Sequence, residues 1–387
     1  MEKSKKILLF VASSFLCFLL FSQEITHDVK VVNIEVPVRI FKGEEFVDDL
    51  TLKDFEVYED GILQKVSAVY LIKKKSVERK EEKRKFTPEV SRNFVLLFRI
   101  TEYLPKVGEA IDYFFENVIL PGDSLTVMTP MNVYNLNSRA LKLLTKEKVK
   151  SELKEKLRKD TIIGNSEYLS TLRELKGSSI GNLGYYRMLM QKLEELRSLD
   201  EGKMLNFADF LKKIQGQKTV FLFYQKEVLP QLAPETYHML ISTQQDNISY
   251  LMDLQELFDF YTRDLTFDIE KTKQAFSDSS ISIHFLYITK TPSIRDGMGS
   301  RSAVTWKEQS EDVFGAFREM AYSTGGTAES SANPMYSFKK AVEASENYYL
   351  VYYSPKNYTS DGEFKKINVK IKGKNYRVTH REGYFAN

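Results

Sequence analysis

Polar side chains follow a run of apolar residues at positions 94–98, and their types decide whether a metal ion could bind there. The residues at the alternate positions after this run are Arg99, Thr101 and Tyr103. Divalent cations need clustered oxygen ligands. Thr101 offers one hydroxyl, but a guanidinium about 4 Å from a metal ion would cost about 4 kcal/mol per unit-charge pair at an effective dielectric constant of 20. The pattern therefore predicts a loop that binds no metal ion.

Other patterns that could carry chemistry have simpler interpretations. Residues 177–181 fit Gly-x-Ser-x-Gly, with Ser179 as the nucleophile, but the preceding residues indicate a helix and not the buried strand that this motif requires. Residues 177–181 are therefore interpreted as a loop between two helices. The histidines are scattered singly, and His284 lies within an apolar strand, which favours a buried structural role. An acidic cluster matches no EF-hand spacing and is interpreted as turns and a solvated face; its members are Asp48, Asp49, Asp54, Glu59 and Asp60.

Composition indicates a folded protein with room for two domains. The chain has 387 residues, of which 42% are apolar and 13% are aromatic. Its 56 basic and 53 acidic residues give a net charge of +3, which is too small to indicate a nucleic-acid partner.

The first 22 residues have the pattern of a secretory signal peptide. Three lysines precede an apolar run at positions 7–21, and Ser22 follows it. The run is shorter than the roughly 20 residues that cross a bilayer, so cleavage near Ser22 is expected and no span should remain. A tether formed by an uncleaved signal is the alternative. Cleavage would remove Cys17, the only cysteine, and would exclude disulfides and thiolate chemistry.

Alternating apolar residues predict β-structure at both ends of the remaining chain. Residues 29–72 form an N-terminal β module, with strands at 32–40 and 55–58 and a tight turn at Asp60 and Gly61. Residues 346–387 alternate in the same way, for example at Ile367 and Val369. Each segment is too small to bury a core alone, so we expect the two to pair in one small β-sandwich.

The middle of the chain alternates strands and helices. Residues 73–90 begin with a run of charged residues, which predicts a solvated linker. Contact of this run with an anionic surface is the alternative. Residues 91–345 then contain apolar strands at 94–98, 125–129, 219–224 and 281–288. Several helices are predicted within 139–214, and a long helix over 249–276. This pattern predicts an α/β sheet with helices on both faces.

Several ordered segments resemble those of one protein family. Residues 53–61 are similar to its DFxVyEDG segment, 317–327 to LAxxTGG, 347–355 to YYLxYxP, 361–367 to DGxxRkI and 381–385 to RxGYxA. The chain thus resembles the secreted bacterial, acidobacterial-type branch of the von Willebrand factor A (vWA) proteins. This resemblance implies a Rossmann-like, doubly wound vWA sheet inserted between the two terminal β segments.

The resemblance also implies that the family's metal-ion-dependent adhesion site is degenerate here. Its Asp-x-Ser-x-Ser ligands correspond to Arg99, Thr101 and Tyr103, and the acidic residue expected after a later strand corresponds to Gln225. Thr161 is a candidate for the family's later-loop threonine. No metal and no cofactor are therefore expected.

The predicted function is that of an exported, non-catalytic binding or scaffold protein that contacts another protein without a metal ion. The candidate contact residues are Arg99, Thr101, Glu102 and Tyr103, on a face formed by residues 99–105, 129–136 and 224–230. The alternatives are an exported hydrolase-type enzyme whose site the sequence does not reveal, and weak divalent-metal-dependent binding. The partner's identity and the oligomeric state stay open.

Overall fold

The computed structural model describes residues 32–178, 182–260, 267–291, 304–308 and 311–387. The predicted signal peptide and Ser179 lie outside the described residues. The fold is mixed α/β with several sheets. Within these ranges, no helix combines the length and apolar character that a membrane crossing requires.

The elements are numbered along the chain. The strands are β1 (Ile34–Lys42), β2 (Glu45–Phe46), β3 (Phe55–Glu59), β4 (Ile62–Gln64), β5 (Val66–Lys73), β6 (Ser76–Glu82), β7 (Arg92–Arg99), β8 (Ser124–Met128), β9 (Val133–Leu136), β10 (Gln217–Gln225), β11 (Val228–Leu232), β12 (Ile281–Ile288), β13 (Val304–Glu308), β14 (Ala328–Ser331), β15 (Asn347–Tyr353), β16 (Phe364–Ile371), β17 (Arg377–His380) and β18 (Gly383–Phe385). The helices are α1 (Pro105–Tyr113), α2 (Ser138–Leu143), α3 (Lys146–Gly164), α4 (Ser166–Gly177), α5 (Leu183–Arg197), α6 (Glu201–Lys212), α7 (Pro234–Thr243), α8 (Ile248–Phe260), α9 (Ile269–Asp278), α10 (Glu311–Ser323) and α11 (Pro334–Ser345).

A largely parallel sheet forms the centre of the α/β region. Its strand order is β14-β12-β10-β7-β8-β9, and β9 runs antiparallel to its neighbour β8. The four apolar strands predicted in this region are confirmed as β7, β8, β10 and β12. Strand β7 pairs in parallel with β10 and β8, so its carboxyl end lies between theirs.

Helices cover both faces of this sheet, because its strands are apolar on both sides. On one face, Phe94 and Phe221 pack with apolar residues of α1, α3 and α11, including Phe338. On the other face, Val220 and Leu222 pack with residues of α6, α9 and α10.

The long helix predicted over residues 249–276 is wrong. Residues 267 and 268 are not helical, and α9 begins at Ile269. Asp268 caps α9, since its side chain accepts a hydrogen bond from the N–H of Lys271 at 3.0 Å. Such a cap stabilises a helix start, and the apolar periodicity does not reveal it.

The two terminal segments pair with each other in two facing sheets. In the first, β15 lies between β1 and β5, with Val351 in register with Val36 and Val69. In the second, β16 pairs with β3 and β18. Aromatic contacts join the sheets, since the ring centroids of Phe55 and Tyr349 are 5.2 Å apart. The predicted turn at Asp60 and Gly61 connects β3 to β4, and both residues have positive φ angles.

The solvated linker predicted for residues 73–90 is partly wrong. Residues Ser76–Glu82 form the edge strand β6, which pairs with β5. Most of its side chains are exposed, so the strand shows no apolar periodicity. The backbone ladder holds it instead, together with contacts such as the hydrogen bond from the Leu52 N–H to the Glu81 carboxylate at 2.8 Å.

Residues 34–387 form one compact unit. Arg39 of β1 reaches into the parallel sheet, where its Nη1 donates to Ser282 Oγ and to the Gly325 carbonyl, both at 3.1 Å. Arg381 donates from Nη1 to Ser280 Oγ at 2.7 Å. Buried guanidinium groups therefore connect the β-sheets to the α/β region.

Candidate functional site

The candidate site lies at the carboxyl edge of the parallel sheet, where binding loops of open α/β sheets generally lie. Residues 100–104 connect β7 to α1, and Gln225 is the last residue of β10. Since β7 and β10 are parallel neighbours, the loop after β7 comes next to Gln225.

The Gln225 side chain holds the loop after β7 in place. Its Oε1 accepts hydrogen bonds from the N–H of Thr101 at 3.0 Å, the N–H of Glu102 at 2.9 Å and the Thr101 hydroxyl at 3.1 Å. Its Nε2 donates to the carbonyl of Lys290 at 3.1 Å. Gln225 is only 1% exposed, so a buried amide connects the loop to the end of β10 and to the residues after β12.

These contacts do not fit a divalent cation. Two backbone N–H groups and one hydroxyl direct hydrogens at the same oxygen, and the positive ends of such dipoles repel a cation. Arg99 adds a positive charge two residues before Thr101. In the part of the chain that the structure describes, no group of three or more His, Cys, Asp and Glu side chains is placed to hold a metal ion.

Arg99 turns beneath the loop. Its Nη2 donates to the carbonyl of Arg197 at 3.1 Å, and Arg197 is the last residue of α5. A cation at a helix C-terminus is favourable because unpaired carbonyls accumulate there. The Nε of Arg99 is buried and has no hydrogen-bond partner among the described residues.

The Tyr103 side chain lies against Gly108 of α1. It packs against the core beneath α1, and a Cβ at Gly108 would lie 2.6 Å from the Tyr103 hydroxyl oxygen. Burial raises the pKa of Tyr103. Of the predicted site positions, the structure thus brings Thr101, Glu102 and Gln225 together, whereas Tyr103 supports the loop from the core side.

A buried ion pair beside the loop was not predicted from the sequence. Arg197 Nε lies 3.5 Å from Glu227 Oε2, and both side chains are almost inaccessible. The hydroxyl of Tyr224 donates to Glu227 Oε1 at 2.5 Å. Glu227 could have been identified from its place two residues after Gln225. Arg197 has no comparable signal, because the sequence does not reveal where α5 packs.

Thr161 and Asn165 lie at the end of α3, next to the same loop. Asn165 Nδ2 donates to the carbonyl of Ile100 at 2.9 Å and to that of Thr161 at 2.8 Å. The Thr161 hydroxyl is buried and has no hydrogen-bond partner among the described residues. The amide of Asn165 therefore fixes the helix end to the loop.

Asp160 organises the neighbouring loop between β8 and β9. Its Oδ2 accepts hydrogen bonds from Thr129 Oγ1 at 2.6 Å, Tyr134 Oη at 2.8 Å and Asn132 Nδ2 at 3.1 Å. Burial opposes ionisation of Asp160, but these hydrogen bonds outweigh it and place its pKa below the ordinary value. The carboxylate is thus engaged in structural contacts.

A cavity of about 360 Å³ lies beneath the loop, between the sheet and α6, α9 and α10. Its polar end includes Arg99, Thr101, Arg197 and Glu227. Its inner walls are apolar and consist of Leu97, Val220, Leu222, Met204, Phe207, Phe276, Ile283, Phe317 and Met320, among others.

No protein-family model and no curated protein matches this chain. Among solved structures, the human COPII-coat protein Sec24c is similar at a TM-score of 0.29 and 8% identity. The match covers 78% of this chain and 44% of that one, so this chain spans less than half of the Sec24c chain. A likeness at this TM-score carries no argument about function.

Proposed function

We propose that this protein is an exported, non-catalytic vWA-like binding or scaffold protein that contacts another protein without a bridging metal ion. The order of its parallel strands, the helices on both sheet faces and the five family-like segments support the vWA assignment. The lysine-rich and apolar N-terminal sequence supports export.

One observation carries the metal-independent part of the proposal. The position where a vWA protein would gather acidic and hydroxyl ligands here contains the Gln225 amide oxygen, which accepts three hydrogen bonds from the loop after β7. The loop therefore has a fixed conformation without a cation. Recognition of a protein partner would depend on the side chains of this loop and of the loop between β8 and β9.

Exposed apolar residues next to this loop supply a contact surface. Met131 is 49% exposed and Ile163 is 46% exposed. They border the residues Pro130 and Gly164, which line the same cavity as Thr101. Neighbouring apolar side chains that stay exposed on a folded protein are typical of interaction sites.

Photo-crosslinking can test this proposal. A benzophenone amino acid at Met131 or Asn132 should give the same protein adduct in an envelope extract of the source cells, with and without EDTA. The control position is Gln215, which is exposed at the opposite, amino edge of the sheet. An adduct that is lost in EDTA, or that forms equally from Gln215, would contradict the proposal.

A further inference from the structure

We propose that the cavity beneath the loop binds a medium-chain fatty carboxylate, with its chain along the sheet and its carboxylate on Arg99. This inference does not depend on the protein-binding proposal, because it concerns the interior beneath the loop and not the exposed surface. It rests on the charge, the lining and the size of the cavity.

The polar end of the cavity holds Arg99, a cation that has no counterion among the described residues. The hydrogen bond to the Arg197 carbonyl is the one polar contact that Arg99 makes within the described residues, and no carboxylate lies within ion-pair distance of it. Arg197, in contrast, faces Glu227 at 3.5 Å. Arg99 is half-buried and uses only Nη2 in that hydrogen bond, and a ligand carboxylate can accept two parallel hydrogen bonds from a guanidinium.

The inner walls suit an apolar chain. Alternate side chains of a strand share one face, so Leu97 and Arg99 lie on the same side of β7. Leu97 is in register with Leu222 of β10. Leu97 remains partly accessible although β7 lies inside the sheet. Phe207, from α6, and Phe276, from α9, line the cavity as well.

The size of the cavity sets the length of the ligand. A cavity of about 360 Å³ has room for an extended chain of at least ten heavy atoms, since roughly 10–15 Å³ of this accessible space already holds one water molecule. Val220 of β10 lines one end of the cavity and Arg99 of β7 lines the other. Arg99 is in register with Tyr224 of β10, so the two ends are four strand residues apart. Four residues of a strand span roughly 13 Å. A fatty acid of about ten carbons, such as decanoate, fits these dimensions.

The charge balance favours a monoanion over a phosphate. One ligand carboxylate would neutralise Arg99 and leave the pair of Arg197 and Glu227 undisturbed. A phosphate monoester has a charge of about −1.5 to −2 at neutral pH. Its excess negative charge would lie next to the buried Glu227 carboxylate.

Calorimetry with decanoate and decanol tests the site and separates the roles of its two ends. We expect saturable one-to-one binding of decanoate to the full chain with a Kd below about 1 mM. Arg99→Gln should weaken decanoate binding about tenfold or more, the effect of losing a charge-assisted hydrogen bond. The same substitution should leave decanol binding unchanged. The matched control Arg173→Gln, at an exposed arginine on α4, should change neither.

A second substitution tests the apolar end. Leu97→Trp places about six more heavy atoms in the cavity, in the path of the ligand chain, and should abolish binding of both compounds. Met204→Trp on α6 tests the same point if Leu97→Trp fails to fold. The proposal is overturned if wild type shows no saturable decanoate binding up to about 1 mM. It is also overturned if Arg99→Gln binds decanoate as wild type does, or if a folded tryptophan variant binds decanoate as tightly as wild type.

Discussion

At the scale of single residues, the Gln225 amide makes four hydrogen bonds that join the loop after β7 to the end of β10 and to the residues after β12. Gln225→Met keeps the side-chain length but removes the acceptor for the N–H groups of Thr101 and Glu102. Leaving buried donors unpaired costs about 1–3 kcal/mol. We expect the free energy of unfolding, measured by denaturant titration, to fall by about that amount.

The matched control for this prediction is Gln231→Met. Gln231 lies on β11 and is exposed, so the same chemical change there should alter stability by less than about 0.5 kcal/mol. Equal stability of Gln225→Met and wild type would show that the loop does not depend on the amide.

His284 gives a pH-dependent prediction. It is fully buried in β12, its ring stacks on Phe221, and its Nδ1 lies 2.9 Å from Thr327 Oγ1. Burial, and secondarily the charge of Arg39, lowers the pKa of His284 to about 3 from an ordinary value of 6.5. Between these values the unfolded chain binds the proton and the folded protein does not. His284 therefore makes the free energy of unfolding decrease as the pH falls below 6.5.

The measurement compares wild type with His284→Gln, which keeps a polar partner for Thr327 but does not titrate. From pH 6.5 to 5, wild type should lose about 1.7 kcal/mol more stability than the variant, because the unfolded histidine is half protonated at pH 6.5 and the slope reaches 1.36 kcal/mol per pH unit only below it. Identical pH profiles would mean that His284 protonates in the folded state as readily as in the unfolded chain.

At the scale of elements, the turn between α10 and β14 explains why a Thr-Gly-Gly sequence occurs there. A Cβ at Gly326 would lie 1.8 Å from the carbonyl oxygen of Ile283. Gly325 has a φ of +73° and lies against the backbone of His380. Thr324 Oγ1 accepts a hydrogen bond from the Ile283 N–H at 3.0 Å. The turn therefore packs backbone against backbone between β12 and β17.

Gly326→Ala should consequently destabilise the protein strongly. Inserting a methyl group into a packed site costs about 1–3 kcal/mol or more, and we expect a loss of at least about 2 kcal/mol in the free energy of unfolding. The control is Gly315→Ala in α10, where a Cβ meets nothing within 4 Å. Alanine is favoured over glycine in helices by about 0.5–1 kcal/mol, so the control should equal or exceed wild type in stability.

Elements with strong apolar patterns were predictable from the sequence. Features that depend on backbone pairing or on the packing of distant helices were not. Strands β7, β8, β10 and β12 are apolar runs and appear where expected. Strand β6 was missed because its pairing with β5 depends on the backbone. The proximity of Thr101 and Gln225 followed from parallel strands ending at one edge. The contact of Arg99 with α5 was not predictable from the sequence, since it depends on how distant helices pack.

At the scale of the whole molecule, the chain leaves the β-sheets after β6, forms the α/β region and returns at β15 between β1 and β5. Residues 34–387 consequently form one compact unit. Buried hydrogen bonds from Arg39 and Arg381 link the two regions. The loop after β7 lies at the sheet edge within this unit, where the Gln225 side chain accepts three hydrogen bonds from it.

Titration calorimetry of the full chain with Mg²⁺ and Mn²⁺ shows whether the loop after β7 binds a metal ion. We predict no one-to-one binding with a Kd of about 1 mM or tighter, because the N–H groups of Thr101 and Glu102 donate to the side-chain oxygen of Gln225. One-to-one binding in that range that Thr101→Ala abolishes would contradict the account and place a metal ion at the loop.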